Sequence, residues 1–167
     1  MRTRLVNWIP AYVGLGSNLH DPPAQVRRAL AALAAVPASL VVRTSPLYGS
    51  KPLGTVAQPD FCNAVAGLLT QLDAATFFAQ LRALEQQLGR DPKRERWGPR
   101  VIDLDLLVFG RERSGDAALT LPHPGLAERE FVLAPLCDVA PDLDVPGLGR
   151  VARMATRSSL NHLWSIA

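Results

Sequence analysis

Val101-Ile102-Asp103-Leu104-Asp105-Leu106-Leu107-Val108-Phe109 sets two acids inside an otherwise apolar run of nine residues. Length and branching make it a strand, with Ile102, Leu104, Leu106 and Val108 on one face and Val101, Asp103, Asp105, Leu107 and Phe109 on the other. Same-face neighbours in a strand lie about 6.6 to 7 Å apart, so Asp103 and Asp105 form a pair. A carboxylate in such a strand must be hydrated, ion-paired or metal-bound, because burying it alone is costly. Magnesium suits the pair, since it takes one or two carboxylates and fills its remaining positions with water and phosphate oxygens.

The approach to this strand is basic. Arg90, Lys93, Arg94, Arg96 and Arg100 stand against Asp91 and Glu95 alone, and Trp97-Gly98-Pro99 leads into Arg100. For two isolated aspartates the first reading is a pair of structural salt bridges with Arg96 and Arg100. Four guanidinium forks on one short segment favour a metal and phosphate site instead.

Upstream of this strand the elements fall in a recognisable order. Residues 9 to 15 read as a strand, and Asp21 with Pro22 opens a helix to about 35. Residues 39 to 45 and about 60 to 70 read as two more strands. Between them, Pro46, Gly49, Pro52, Gly54 and Pro59 punctuate a long loop, read as a binding lid. Asp73 caps a second helix with Phe77, Phe78, Leu81, Leu84 and Leu88 at helical spacing, stopped by Gly89. The result is β-α-β-β-α-β: an α+β, ferredoxin-like sheet with both helices on one face and the other face free for a site. Beyond about 110 the sequence suggests extended loops, helical pieces near 124 to 129 and 131 to 139, and C-terminal additions.

At 167 residues the chain reads as one domain, with a core over about 9 to 145 and a C-terminal segment over about 146 to 167. It is 48% hydrophobic and 20% charged, and no apolar run is long enough to span a bilayer. Asn7 and Pro10 interrupt the apolar stretch after Arg2 and Arg4, so a signal peptide is not expected and the cytoplasm is. Cys62 and Cys137 have no metal-ligand spacing. A net charge of +3 fits an anionic partner without naming it.

Two nucleotide motifs fail. Gly14-Leu15-Gly16-Ser17-Asn18-Leu19 lacks the third glycine and the downstream acid of a dinucleotide fingerprint, and Gly49 to Gly54 is followed by Thr55 and Val56 where a P-loop needs Lys and Ser/Thr. Three constellations survive: the aspartate pair, the arginines, and Phe61 with Asn63, an aromatic plane and an amide on one strand face suited to a flat heterocycle. His123, between Pro122 and Pro124, is followed by Arg129 and Phe131, a second cation and a second aromatic.

These residues resemble the 6-hydroxymethyl-7,8-dihydropterin pyrophosphokinase family of folate biosynthesis. The matching stretches are Tyr12 to Leu19, Pro52-Leu53-Gly54, Gln58 to Asn63, Gly89-Arg90, Glu95 to Arg100, Asp103-Leu104-Asp105, and Pro122-His123 through Arg129 and Phe131. The resemblance implies magnesium-dependent transfer of pyrophosphate from ATP to 6-hydroxymethyl-7,8-dihydropterin, releasing AMP. It implies that Asp103 and Asp105 hold two magnesium ions, with Arg90, Arg100 and His123 as catalytic partners. Arg90, Arg96, Arg100, Leu106, Thr120, His123 and Arg129 would face the nucleotide. Ser50, Leu53, Phe61, Asn63, Trp97 and Phe131 would receive the pterin, the two phenylalanines sandwiching its ring. A monomer with no nucleic-acid or membrane partner is expected. Phe61 stands where the family commonly has tyrosine, Lys51 where proline is frequent, and Pro124 where an aromatic or polar residue is common.

Two rivals predict different behaviour. A ferredoxin-like nucleic-acid module would bind RNA in a salt-sensitive way without magnesium, and aspartates on its open face argue against it. A metal-dependent phosphohydrolase would turn over ATP without pterin, and it leaves Phe61, Phe131 and Asn63 unexplained.

Overall fold

Residues 7–91, 93, 98–158 and 162–167 are described by the structure, a computed structural model. The first strand, β1 (Ile9–Ser17), alternates so that Ala11, Val13 and Leu15 are buried on one side. Asp21 then caps α1 (Pro22–Ala32), accepting from the Ala24 amide at 3.2 Å, with Pro22 in the first turn where its missing N–H costs nothing. A short 3₁₀ turn, Leu33–Ala35, continues it. The chain returns through β2 (Ser39–Thr44), β3 (Leu47–Ser50) and β4 (Phe61–Thr70). Asp73 caps α2 (Ala74–Gln87) by accepting from Thr76 N at 2.8 Å, and Gly89 follows the helix with φ +97°.

The acidic strand is β5 (Asp103–Phe109). A hairpin of β6 (Ser114–Asp116) and β7 (Leu119–Leu121) leads to α3 (Glu130–Val139). A second small hairpin, β8 (Asp144–Val145) and β9 (Gly149–Arg150), precedes α4 (Val151–Arg157) and a final strand, β10 (Leu163–Ile166).

The main sheet runs β10-β3-β4-β1-β5, with β2 also on β4, and every pairing is antiparallel. This is the ferredoxin-like order, its second strand split into β2 and β3. The split lies at Ser45-Pro46. Pro46 has no N–H to give a ladder, and Ser45 meets Val65 just before it, its amide donating to Val65 O at 2.8 Å and its hydroxyl accepting from Val65 N at 2.9 Å. The expected continuous loop from 46 to 59 therefore begins with a strand, and the loop proper is shorter.

Helices α1 and α2 cover one face, over a core that includes Val13, Leu68, Phe77, Leu81 and Leu104. The expectation that the other face stays free is corrected: α3 packs there, where Leu133, Leu136 and Val139 meet Val65, Leu107 and Val108. Part of that face remains open, at the end bearing Asp103, Gly16 and Asn63.

The face assignment of β5 also changes past Leu106. Tyr12 pairs with Val108 and Val13 with Leu106, so Leu107 is an extra residue, a β-bulge. Leu107 and Val108 both face α3, while Phe109 turns to the helix side, its ring centroid 5.9 Å from that of Phe77. Residues 124 to 128 form turns rather than a helical piece, with Leu126 N donating to His123 O at 3.0 Å. The C-terminal segment supplies β10, which edges the sheet and lays Trp164 against Gly49. A Cβ on Gly49 would lie 2.0 Å from that indole. Among the described residues no helix is long and apolar enough to cross a membrane.

Candidate active site

The register of three strands builds the site. Asp103 sits opposite Gly16, which sits opposite Asn63, and one step along, Asp105 sits opposite Gly14, which sits opposite Val65. The two glycines of β1 thus form a floor without side chains between an acidic wall and an amide wall. A Cβ on Gly16 would touch Asn63 Oδ1 at 3.4 Å, and one on Gly14 would touch Leu107 at 3.4 Å. The rejected Gly14-Leu15-Gly16 motif has this spatial role.

Asn18, buried at the end of β1, ties the two flanking loops to this floor. Its Nδ2 donates to Gln58 Oε1 and to Pro59 O, each at 3.0 Å, and its Oδ1 accepts from the Arg100 amide at 2.8 Å. The Asn18 amide also donates to Arg100 O at 3.1 Å.

The acids differ in environment. The Asp103 side chain is 9% exposed and pairs with Arg100 Nη1 and with Arg90 Nη2, the latter at 3.4 Å. The Asp105 side chain is 38% exposed, with Arg82 Nη2 3.8 Å from its Oδ1. Behind them lies Glu85, whose side chain is 1% exposed. It accepts from Leu104 N at 2.7 Å, from Arg82 Nη1 at 2.5 and 2.6 Å, and from Arg90 Nη1. Burial works against the charge on Arg90, but the hydrogen bond it donates to Glu85 and the fields of Asp103, Glu85 and Asp105 outweigh it and hold the guanidinium more firmly protonated than usual. Sequence reasoning missed Arg82 and Glu85. The available signal was a charge at position 85 on the apolar stripe Phe77, Leu81, Leu84, Leu88.

Over this floor a cavity of about 90 Å³ is lined by Ser50, Leu53, Phe61, Asn63, Arg100, Asp103, Asp105, His123, Arg129 and Phe131, among others. It shares Ser50, Leu53, Arg129 and Phe131 with a groove of about 790 Å³ beneath residues 52 to 56. Asn63 Nδ2 donates to Ser50 Oγ at 2.9 Å, which orients the amide. Arg100 lies over the Phe61 ring, 5.6 Å from its centroid. Arg129, at the N-terminus of α3, packs so closely on Gly125 that a Cβ there would meet its Nε at 2.4 Å.

His123 closes the row. Gly125 N donates to its Nδ1 at 3.1 Å, so the neutral ring carries its proton on Nε2. Burial pushes its pKa below the usual value. Asp105 opposes that shift, and Arg129 and Arg82 reinforce it.

Several expected residues lie elsewhere. Leu106 points into the core under the helices, 2% exposed. Thr120, on β7, donates its hydroxyl to Asp116 O at 2.9 Å within the hairpin and does not line the cavity. Arg90 borders Asp103 from the side of α2 without lining the cavity. Arg94, Arg96 and Trp97 fall outside the described residues.

The donor set fits magnesium. Among the described residues no cluster of three or more His, Cys, Asp or Glu occurs. Two carboxylates would leave most of an octahedral shell to water and phosphate. Arg100 Nε, buried without a hydrogen-bond acceptor among the described residues, adds a donor for an anionic ligand.

Residues 12–141 match the family model for 7,8-dihydro-6-hydroxymethylpterin-pyrophosphokinase. A Haemophilus influenzae protein, 2-amino-4-hydroxy-6-hydroxymethyldihydropteridine pyrophosphokinase, is 44% identical over 138 residues, 83% of this chain and 86% of its own. A Pseudomonas aeruginosa protein of the same name is 46% identical over 135 residues, 81% of this chain and 83% of its own. A crystal structure of HPPK-DHPS in complex with substrates has the same fold, with TM-score 0.72 at 10% identity over 95% of this chain, which spans 46% of that longer chain.

Fold and family match together define a pyrophosphokinase of folate biosynthesis. The chain belongs to the 7,8-dihydro-6-hydroxymethylpterin-pyrophosphokinase family.

Proposed function

We propose that this protein transfers pyrophosphate from magnesium-bound ATP to 6-hydroxymethyl-7,8-dihydropterin, acting as a cytoplasmic monomer without nucleic-acid or membrane partners. The observation that carries the reading is the row Asp103–Gly16–Asn63 across β5, β1 and β4. Two strand spacings, about 10 Å, separate the acidic wall from the amide wall. That distance lets one floor hold a flat ring at one end and a polyphosphate at the other. The unpaired thiols Cys62 and Cys137 suit a reducing compartment.

In this reading Phe61 and Phe131 stack on the two faces of the pterin, and Asn63, oriented by Ser50, pairs with its edge while Leu53 and Trp97 border it. Asp103 and Asp105 hold two magnesium ions. Bound magnesium supplies charge neutralisation on the triphosphate and orientation of the reacting oxygens. Arg90, Arg96, Arg100 and Arg129 grip phosphate oxygens with bidentate forks, and neutral His123 offers its Nε2 proton as a hydrogen bond. The hydroxymethyl oxygen forms a bond to the β-phosphorus, the bond from that phosphorus to the α–β bridging oxygen breaks, and AMP leaves with the bridging electron pair. The hydroxyl proton passes to solvent. Such transfers have loose transition states, so positioning and charge stabilisation carry the catalysis.

Product identity tests this. Protein, magnesium-ATP and the reduced pterin alcohol should yield AMP and the pterin diphosphate in equal amounts. ADP as the product, or ATP turnover independent of pterin, would sink the reading.

A further inference from the structure

Arg82 is not among the residues that the strand motif or the arginine-rich loop point to, and it does not line the ring cavity. It projects from the middle of α2 toward the opposite side of the aspartate pair. Three contacts prepare it. Phe78, one turn earlier, lies under the guanidinium, whose central carbon is 4.5 Å from the ring centroid. Glu85, one turn later, takes Nη1 through both carboxylate oxygens. Nη2 is left facing Asp105 Oδ1 at 3.8 Å, beyond hydrogen-bonding distance, and the side chain is one-third exposed.

A surface i,i+3 pair would need none of this. Stacking on Phe78 and the double contact to Glu85 immobilise a long side chain, removing entropy that a ligand contact would otherwise cost. The free edge of the fork is presented beside the more exposed acid. Among the described residues Arg82, Arg90 and Arg100 contact Glu85, Asp103 and Asp105, so an acid that binds a cation loosens its hold on a guanidinium, which can turn to a nearby anion.

We propose that Arg82 is a phosphate-contacting residue, gripping the ATP polyphosphate from helix α2 through Nη2 beside Asp105. It is a cation of the nucleotide side built on a helix, whereas Arg90, Arg100 and Arg129 stand outside helices and strands. The proposal rests on the pyrophosphokinase reading above, and its test separates the two.

Binding of magnesium with α,β-methylene-ATP, which cannot be cleaved at the reacting bridge, is measured by calorimetry for the wild type, Arg82→Gln, Arg82→Lys and Asp105→Asn. Pterin alcohol binding, thermal unfolding and steady-state kinetics are measured alongside. One charge-assisted contact corresponds to roughly 10- to 100-fold in affinity. Arg82→Gln should weaken analogue binding by that factor, flatten its salt dependence, raise the KM for ATP and leave pterin affinity within about twofold. Arg82→Lys, which keeps charge but not the fork, should recover part of the loss. Analogue binding by Arg82→Gln equal to wild type overturns the proposal. So does a uniform loss of both ligands' affinities together with a fall in melting temperature, the signature of a merely structural Arg82–Glu85 pair. If Asp105→Asn binds the analogue and turns over as wild type, the pyrophosphokinase reading fails instead, whatever Arg82 does.

Discussion

The backbone amide of Leu104 donates to Glu85 Oε1 across 2.7 Å, joining the last turn of α2 to the residue that separates the two aspartates. The same carboxylate holds Arg82 and Arg90. Glu85→Leu would strand a buried N–H and release two guanidiniums. Breaking a buried ion pair costs about 3 to 5 kcal/mol, which for a chain of this size is a melting-temperature drop of roughly 10 °C. Glu85→Gln, which keeps an acceptor for Leu104 N, should lose less. Thermal unfolding of both variants checks the order, and a wild-type melting point for Glu85→Leu would contradict it.

Asp105 and Asp103 should separate folding from activity. Asp105 is partly exposed and touched only loosely by Arg82, so Asp105→Asn should melt close to wild type while turnover falls on the order of 10² to 10³, the cost of losing one preorganised electrostatic group. Asp103 is buried between Arg90 and Arg100. Asp103→Asn should lose both activity and stability. Steady-state rates beside calorimetric melting points decide the matter. Full turnover by Asp105→Asn would remove it from the chemistry.

Phe61 and Asn63 lie at the end of the floor away from Arg82. Phe61→Ala should raise the KM for the pterin alcohol by roughly tenfold or more, from lost stacking and burial, while analogue nucleotide affinity changes little. Asn63→Ala also removes the partner of Ser50 Oγ. It should weaken pterin binding in the same direction. Equal losses for both substrates would mean that these residues support the fold rather than the ring.

The chain's two tyrosines give a pH signature. Burial raises the pKa of Tyr12, and that of Tyr48 is pushed up to about 12 by burial and by its 2.5 Å hydrogen bond to Asp138. A raised folded-state value means that the native state keeps protons the unfolded chain has lost. Stability from these hydroxyls is therefore full below about pH 10, the ordinary tyrosine value, and drains away as pH climbs toward 12. Tyrosinate absorbance should show no step near pH 10 in the native protein and a two-residue step there after denaturation. Tyr48→Phe should flatten the alkaline fall in stability.

How far the sequence could be read depends on whether the deciding contacts are local. Asp21 and Asp73 cap helices through amides three residues on, so residue types alone announce both helices. The strand at 103 to 109 and the face shared by Phe61 and Asn63 follow from alternation. β3 and β10 are only four residues long: β3 lies between β4 and β10, and β10 edges the sheet on β3 alone, so β10 rests on a partner more than a hundred residues away in the chain. The bulge at Leu107 is invisible because apolar residues occupy every position around it, and only pairing with Tyr12 and Val13 reveals where the faces exchange. Asn18 was part of a discarded glycine motif, and its three side-chain bonds, to residues 58, 59 and 100, have no local signature.

Those bonds have a thermodynamic consequence. Asn18 fastens the loop beneath the ring cavity and the loop that delivers Arg100 to one point, so ordering one loop lowers the entropic cost of ordering the other. The two substrates should therefore bind with a shared linkage free energy, about 1 to 3 kcal/mol in typical cases. Reciprocity requires that the pterin sharpen nucleotide affinity by the same factor as the nucleotide sharpens pterin affinity. Titrations of each ligand in the presence and absence of the other measure that factor, and Asn18→Ala should bring it toward unity while leaving the ring stack and the aspartates in place.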